Sequence, residues 1–348
     1  MMMPPSTDPV EPASQNTDPV SSLDVAAVEG ALGVAIRAPS IHNTQPWRFE
    51  LRGGVLALRA DRSRQLGIAD PDGHSLLISC GAALALTELA LRAAGWTVEV
   101  RRVPDPADPD LLAELRGLGH AEPLRADLDR VAASRRRRSE RRPFAAGRPA
   151  EQVIEQLRQA AASPGVDAHF PIRADENLDL AVAVSYADRF QRKDPDYLAE
   201  MARWTQQDDH HADGIPATTV PHLPEGRVRH TDVPLRDFEV GVPGSQLIET
   251  GIDEQPLLAV VFTSSDRTSD RLQAGEAMMR LMVEAELAGL SSCPLSQAVD
   301  MLAFRVRLQT VMNWTDYPQM MLRLGTPPAG TPAPLTRRRA VADVLHTL

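Results

Sequence analysis

The chain has little cysteine, lysine or aromatic residue to work with. Its two cysteines, Cys80 and Cys293, are too few for a disulfide framework or a zinc ribbon. They fit buried small hydrophobes in a reducing cytoplasm. Of 37 basic residues only Lys193 is lysine. A phosphate clamp here must therefore use guanidinium forks, which grip phosphate oxygens in pairs. Aromatics make up 4%, so each Trp beside a motif is informative. A net charge of −10 argues against nucleic-acid binding. No apolar run is expected to reach the roughly 18 residues of a membrane span. Residues 1–21 are rich in Pro, Ser and Asp, lack the apolar stretch of a signal peptide, and read as a disordered tail. A cytoplasmic protein with no membrane partner is the expectation.

What is present is helical and strand periodicity arranged twice. Residues 22–37 repeat at helical spacing and stop at Ala38-Pro39. Residues 47–51 and 55–58 predict a hairpin over Gly53-Gly54. Residues 74–94 predict a long core helix stopped by Gly95, and 97–100 a strand. The second half starts near residue 124. Helices are expected over 150–162 and 176–206, and strands over 169–172, 257–262 and 320–325. A second core helix over 272–288 stops at Gly289. Gly81 to Gly95 aligns without gaps on Gly275 to Gly289, and Asp61-Arg62-Ser63 is matched to Asp266-Arg267-Thr268 as the lead into each helix. The chain thus divides into 22–123 and 124–348, two homologous α+β halves related by a pseudo-two-fold axis. Residues 208–238, rich in Gly, Pro and His, are a long turn-rich insertion and a candidate lid. His210-His211 beside Asp208-Asp209 does not make a metal site, because no second ligand group accompanies them.

Two segments carry the chemistry. Arg137, Ser139 and Arg141 alternate onto one side of an extended stretch, with Arg138 between them and Pro143-Phe144 as an apolar stop. Such a set can surround a phosphomonoester of roughly −1.5 to −2 charge. Whether Arg141 or Arg142 is the third ligand stays open. Pro39, Ser40, Asn43 and Gln45-Pro46-Trp47 form the other segment. Asn43 can donate and accept at once, and Gln45 before a proline is expected to be extended and to launch a strand. His42 is expected to be a local hydrogen-bonding residue with no catalytic part.

Together these segments resemble the flavin-binding motifs of the nitroreductase superfamily, and most of all its Acg-type, tandem members. The resemblance implies a nitroreductase-like α+β fold whose two fused halves mimic the family homodimer. It implies FMN as cofactor, with Arg137, Arg138, Ser139 and Arg141 at the phosphate and Pro39, Ser40 and Asn43 at the ring. It places Pro294, Leu295 and Ser296 along the reactive edge, a backbone N–H of Leu295 or Ser296 facing N5. It brings two of Arg337, Arg338 and Arg339 to the phosphate. The implied activity is NAD(P)H-dependent two-electron reduction of a small acceptor, a nitroaromatic or a quinone, with no acid–base side chain and no metal. The alternative it implies is FMN storage under a lid. Ala162-Ser163-Pro164-Gly165 stands where a second ring motif would be and lacks its residues, so one FMN per chain is expected, in a monomer or a weak homodimer.

Overall fold

The computed structural model describes residues 22–206, 211–222, Arg236, Phe238, 246–247 and 254–348. The expected tail over 1–21 lies outside them. Helix α1, Val25–Ala35, starts at Asp24, whose carboxylate accepts from the Ala27 amide. Strands β1, Trp47–Arg52, and β2, Val55–Ala60, pair antiparallel with Arg52 opposite Val55. The two residues between them, Gly53 and Gly54, both have positive φ, as the tight hairpin turn requires. Helix α2, His74–Ala93, is capped by Asp70, whose two oxygens take the amides of Ser75 and Leu76. Strands β3, Trp96–Arg102, and β4, Leu111–His120, complete the first half.

The second half carries helices α3, Arg125–Arg136, and α4, Glu151–Ala161, then strand β5, Val166–His169. Helices α5, Ala174–Gln191, and α6, Pro195–Trp204, follow. Strand β6, Leu257–Thr263, leads into helix α7, Thr268–Leu287. Strand β7, Ser291–Leu295, helix α8, Leu302–Met312, strand β8, Tyr317–Gly325, and strand β9, Leu345–Thr347, end the chain.

The two sheets have one strand order. The first runs β9-β1-β2-β4-β3 and the second β7-β8-β6-β5. Read from the strand that follows each core helix, β3-β4-β2-β1 matches β7-β8-β6-β5. The core helices match as well, each 20 residues long. They cross at their shared glycines. A Cβ on Gly81 would sit 2.0 Å from the Leu272 carbonyl oxygen, and one on Gly275 would sit 2.1 Å from that of Ile78. Ile78 and Leu272 are themselves matched positions, so the contact is reciprocal, as at a two-fold interface. Only glycine lets the two backbones approach this closely. The C-terminal strand β9 crosses over to pair with β1 of the first half.

Several expectations need correction. Helix α2 is long and apolar enough to cross a membrane by length and composition, although no such stretch was expected; 78% of it is buried inside the protein. The strand expected at 169–172 lies at Val166–His169. The helix expected over 176–206 is two helices, because Asp194 caps a new one at Pro195. Helices α3 and α8 and strand β4 were not foreseen. Because α2 and α7 begin in register, the place of Asp266 is taken by Asp72, not Asp61.

Candidate functional site

A cavity of about 380 Å³ opens between the halves, within the range of roughly 300–1,000 Å³ usual for small-molecule sites. Its wall takes Pro39, Ser40 and Asn43 from one half and Ser139, Arg141, Pro294, Leu295, Ser296 and Arg338 from the other. Ser75, Ile78 and Ser79 at the start of α2 also face it.

The first segment forms a strained turn. His42, Asn43 and Gln45 all have positive φ, at 44°, 56° and 49°. Left-handed non-glycine residues cost about 1–3 kcal/mol each, asparagine least, and persist only where their surroundings fix them. Here Ser40 Oγ accepts from the Gln45 amide at 2.9 Å, and Ser79 Oγ accepts from the Ile41 amide at 3.1 Å. The extended conformation expected for Gln45 is therefore not adopted. The proline after it disfavours the right-handed well, and the chain turns left-handed instead. Gln45 then acts as a clasp. Its Nε2 donates to the Ala212 carbonyl at 2.7 Å, and its Oε1 accepts from the Arg339 amide at 2.8 Å. Asn43 Nδ2 donates to the carbonyls of Gly214 and Arg337, while its Oδ1, in a residue 7% exposed, has no partner among the described residues.

The second segment leaves α3 in an extended run. Ser139 bridges to Ser292 of β7, and the Glu140 amide donates to the Ser292 carbonyl at 3.0 Å. Phe144 anchors the far end, its ring flat on Gly325 and under Arg323 at 4.2 Å. Between these anchors the side chains alternate. Ser139 and Arg141 face the cavity, whereas Arg142 turns away to pair with Glu140 and with the Thr331 carbonyl. Of Arg141 and Arg142, Arg141 is the one that faces the cavity.

A group of buried and half-buried guanidiniums accompanies the cavity. Arg137 is 5% exposed and donates to the Arg37 carbonyl, and among the described residues its Nε and Nη1 have no partner. Arg138 and Arg338, both half-buried, each have a buried Nε with no partner among the described residues. Burial pushes Arg338 down to about 9, with Arg137, Arg37 and Arg141 repelling its charge, and burial pushes Arg137 down to about 10. These are positive charges short of an anion. Of the three C-terminal arginines only Arg338 lines the cavity. Arg337 is exposed, and Arg339 spends its guanidinium on the carbonyls of Gln45 and Asp343. Neither is placed at the site expected for them.

Ser292 to Leu295, expected as a loop, belong to strand β7, paired with β8 from Ser291 opposite Gly325 to Leu295 opposite Met321. Ser296 is the first residue past it. Parts of the 208–238 segment also form the wall: Ile215, Val220, Pro221, Arg236 and Phe238. Residues 208–210, with Asp208, Asp209 and His210, and residues 223–235 and 237 of that segment lie outside the described residues. Among the described residues no cluster suits a metal ion. Sequence reasoning passed over Arg236 and undervalued His42, although both line the cavity. Arg236 sits in a stretch without periodicity, so nothing in the sequence singled it out.

The repeat register identifies residues that stand toward the pseudo-symmetric location. The gap-free register that matches Gly81 with Gly275 matches Ala82 with Glu276 and Leu86 with Arg280; carried on past Gly95 and Gly289 it matches Arg102 with Ser296. Arg102 forks onto the buried Glu276 with two contacts of 2.7 Å. Arg280 reaches the carbonyls of Ala160 and Ala161, beside the residues that replace a second ring motif. Of the matched positions Ala82, Leu86 and Ser296, Ser296 is the one that lines the cavity.

No protein-family model matches the chain. It is 33% identical over 346 residues to a Mycobacterium tuberculosis protein named "Putative NAD(P)H nitroreductase Rv3131", covering 96% of this chain and 94% of that one. It is 31% identical over 337 residues to another from the same species, "Putative NAD(P)H nitroreductase acg", covering 94% and 98%. Among solved structures, a nitroreductase with bound FMN from Bacteroides fragilis aligns with a TM-score of 0.35 at 13% identity, over 61% of this chain and 95% of that one.

Proposed function

Because the chain belongs to the Acg-type nitroreductase family of these mycobacterial proteins, we propose that it holds one FMN between its halves and passes electron pairs from NAD(P)H to a small organic acceptor. One observation carries this. The cavity wall carries Arg338 and Asn43, and among the described residues buried guanidinium nitrogens of Arg137, Arg138 and Arg338 and the acceptor Asn43 Oδ1 have no hydrogen-bond partner. A phosphate for the guanidiniums and a ring with polar edges for Asn43 would satisfy both. Arg137, Arg138, Ser139, Arg141 and Arg338 would hold the phosphate. Pro39, Ser40 and Asn43 would hold the ring, beside Pro294, Leu295 and Ser296. Bound FMN supplies the two-electron chemistry. The residues bind, orient and keep water out, and no side chain need act as acid or base. The halves 22–123 and 124–348 stand for the two subunits of a family homodimer, so a monomer suffices to build the site.

A second reading is FMN storage under a cover formed by part of 208–238. The favouring observation is that Ala212 and Gly214 are tied to Gln45 and Asn43, while Arg236 and Phe238 close on the same cavity. Anaerobic mixing of the FMN-loaded protein with NADPH or NADH tests both. Fast bleaching of the flavin supports the reductase. Bleaching by dithionite but by neither nicotinamide supports storage. Protein that takes up no FMN overturns both.

A further inference from the structure

His42 lines the cavity from the strained turn and is 6% exposed. Its Nε2 lies 2.8 Å from Arg236 Nη1. A guanidinium can only donate, so Nε2 is the acceptor. The proton of the neutral ring therefore sits on Nδ1. That atom is buried and without a partner among the described residues. Arg236 is itself fixed. It is 8% exposed, ion-paired with Asp300, bonded to Ser296 Oγ at 3.3 Å, and stacked 5.9 Å from the Tyr197 ring. Asp300 is fully buried and also accepts from Ser75 Oγ at 3.0 Å. A buried acid thus holds an arginine, and the arginine holds the tautomer of a histidine in the cavity wall.

We propose that His42 contacts the flavin ring of this site, presenting its Nδ1–H to an acceptor atom of the ring, and that Arg236, held by Asp300, is the positioning residue that keeps that proton in place. The proposal rests on the FMN reading above. Three features support it. His42 and Asn43 are consecutive residues of the cavity wall, and they supply a buried donor, Nδ1–H, and a buried acceptor, Oδ1, both without partners among the described residues, as a polar ring edge requires. The cost of two successive left-handed residues, His42 and Asn43, is what aims them there. The charges around the ring also forbid its protonation. Burial, then Arg236 and Arg141, hold its pKa well below the usual histidine value, and Phe238 closes the remaining side edge-on at 5.7 Å. A donor that never gains a second proton gives the bound ring the same partner at every physiological pH. It would favour the more electron-rich, reduced ring over the oxidised one.

The test uses the FMN-loaded full chain and reads affinity, absorption spectrum and midpoint potential, with no turnover involved. His42→Phe keeps an aromatic ring against Phe238 and removes the donor. We expect a shifted flavin absorption band and about tenfold less preference for the reduced flavin, a potential about 30 mV more negative. Arg236→Met alone would strand Asp300 as a buried charge, so Arg236→Met with Asp300→Asn removes the pair as a unit. With Arg236 gone, His42 regains part of its basicity, and the potential acquires a new break with pH that wild type lacks. Adding His42→Phe to that double variant should abolish the break. A His42→Phe protein with wild-type spectrum, affinity and potential overturns the proposal. So does a double variant whose pH profile is unaltered, or is altered regardless of His42. Failure of the wild type to take up FMN would instead overturn the reading on which the proposal rests.

Discussion

Arg338→Ala should move two quantities in opposite directions. Burial of the half-buried Arg338, with repulsion from Arg137, Arg37 and Arg141, lowers its pKa to about 9. Removing one charge from this group relieves that repulsion. The flavin-free variant should therefore melt at or above the wild-type temperature. With FMN present, the same guanidinium is expected to give a charge-assisted bond to the phosphate. Losing such a bond costs about 1.5–3 kcal/mol, a roughly ten- to hundredfold weaker Kd. Riboflavin lacks the phosphate and should bind wild type and variant alike. Arg337→Ala is the internal control, because Arg337 is adjacent in sequence but exposed. The assay is quenching of flavin fluorescence on titration with protein, beside a melting curve of the flavin-free form. Equal losses for riboflavin and FMN would refute the phosphate assignment. Equal losses for Arg337→Ala and Arg338→Ala would refute the geometric distinction between them. A lowered melting temperature without flavin would refute the repulsion argument.

Other consequences are equally direct. Arg141→Ala should weaken FMN about tenfold or more, whereas Arg142→Ala, whose partners are Glu140 and the Thr331 carbonyl, should leave FMN affinity within about twofold; the same fluorescence titration separates them. Gly81→Ala and Gly275→Ala should each destabilise the fold by about 1–3 kcal/mol or more, because the new methyl meets a helix carbonyl at 2.0 or 2.1 Å; denaturant melts that showed no change would remove the close crossing from the account. Heat-released flavin should amount to about one FMN per chain, and a ratio near two would mean that Arg102, Glu276 and Arg280 do not block the second location.

Much of this was legible from residue order, for physical reasons that differ by element. The core helices α2 and α7 were legible because their apolar runs end at Gly95 and Gly289, both with positive φ. The hairpin was legible because a two-residue Gly-Gly turn allows little else. Strand β4 was not foreseen: the Pro- and Asp-rich turn over 104–110 marks its start, but Gly117 and Gly119 interrupt its strand pattern. The segment 292–295 looked like a helix exit, and it became strand β7 only because β8 offers it an edge. Ser139 and Arg141 were legible from alternation alone. The choice among Arg337, Arg338 and Arg339 was not, because it depends on how the tail is pinned by the Gln45 clasp. Gln45 went astray for a related reason. The pre-proline rule narrows φ and ψ to more than one region, and here a hydrogen bond from its amide to Ser40 selected the rarer one.

The duplication itself explains why the molecule is lopsided. Two equivalent cavities would flank the crossing of α2 and α7, one on each side of the pseudo-two-fold axis. A symmetric pair would need the strained turn, the cationic group and the strand edge twice over. On one side Ser296 stands in the cavity wall, and the space stays open. On the other side the matched position is Arg102, whose guanidinium is forked onto Glu276. Glu276 is buried, and burial raises its pKa despite the Arg102 fork. Such a buried pair adds little net stability by itself, but breaking it by removing one partner costs about 3–5 kcal/mol. Arg102→Ala should weaken the fold without creating a second flavin site. Reopening would require changing Arg102, Glu276 and Arg280 together, and even then the turn at 162–165 would offer no counterpart of Asn43. The triple change should thus leave the flavin ratio at about one per chain. A rise in that ratio would show that the plug alone, and not the missing motif, keeps the second side closed.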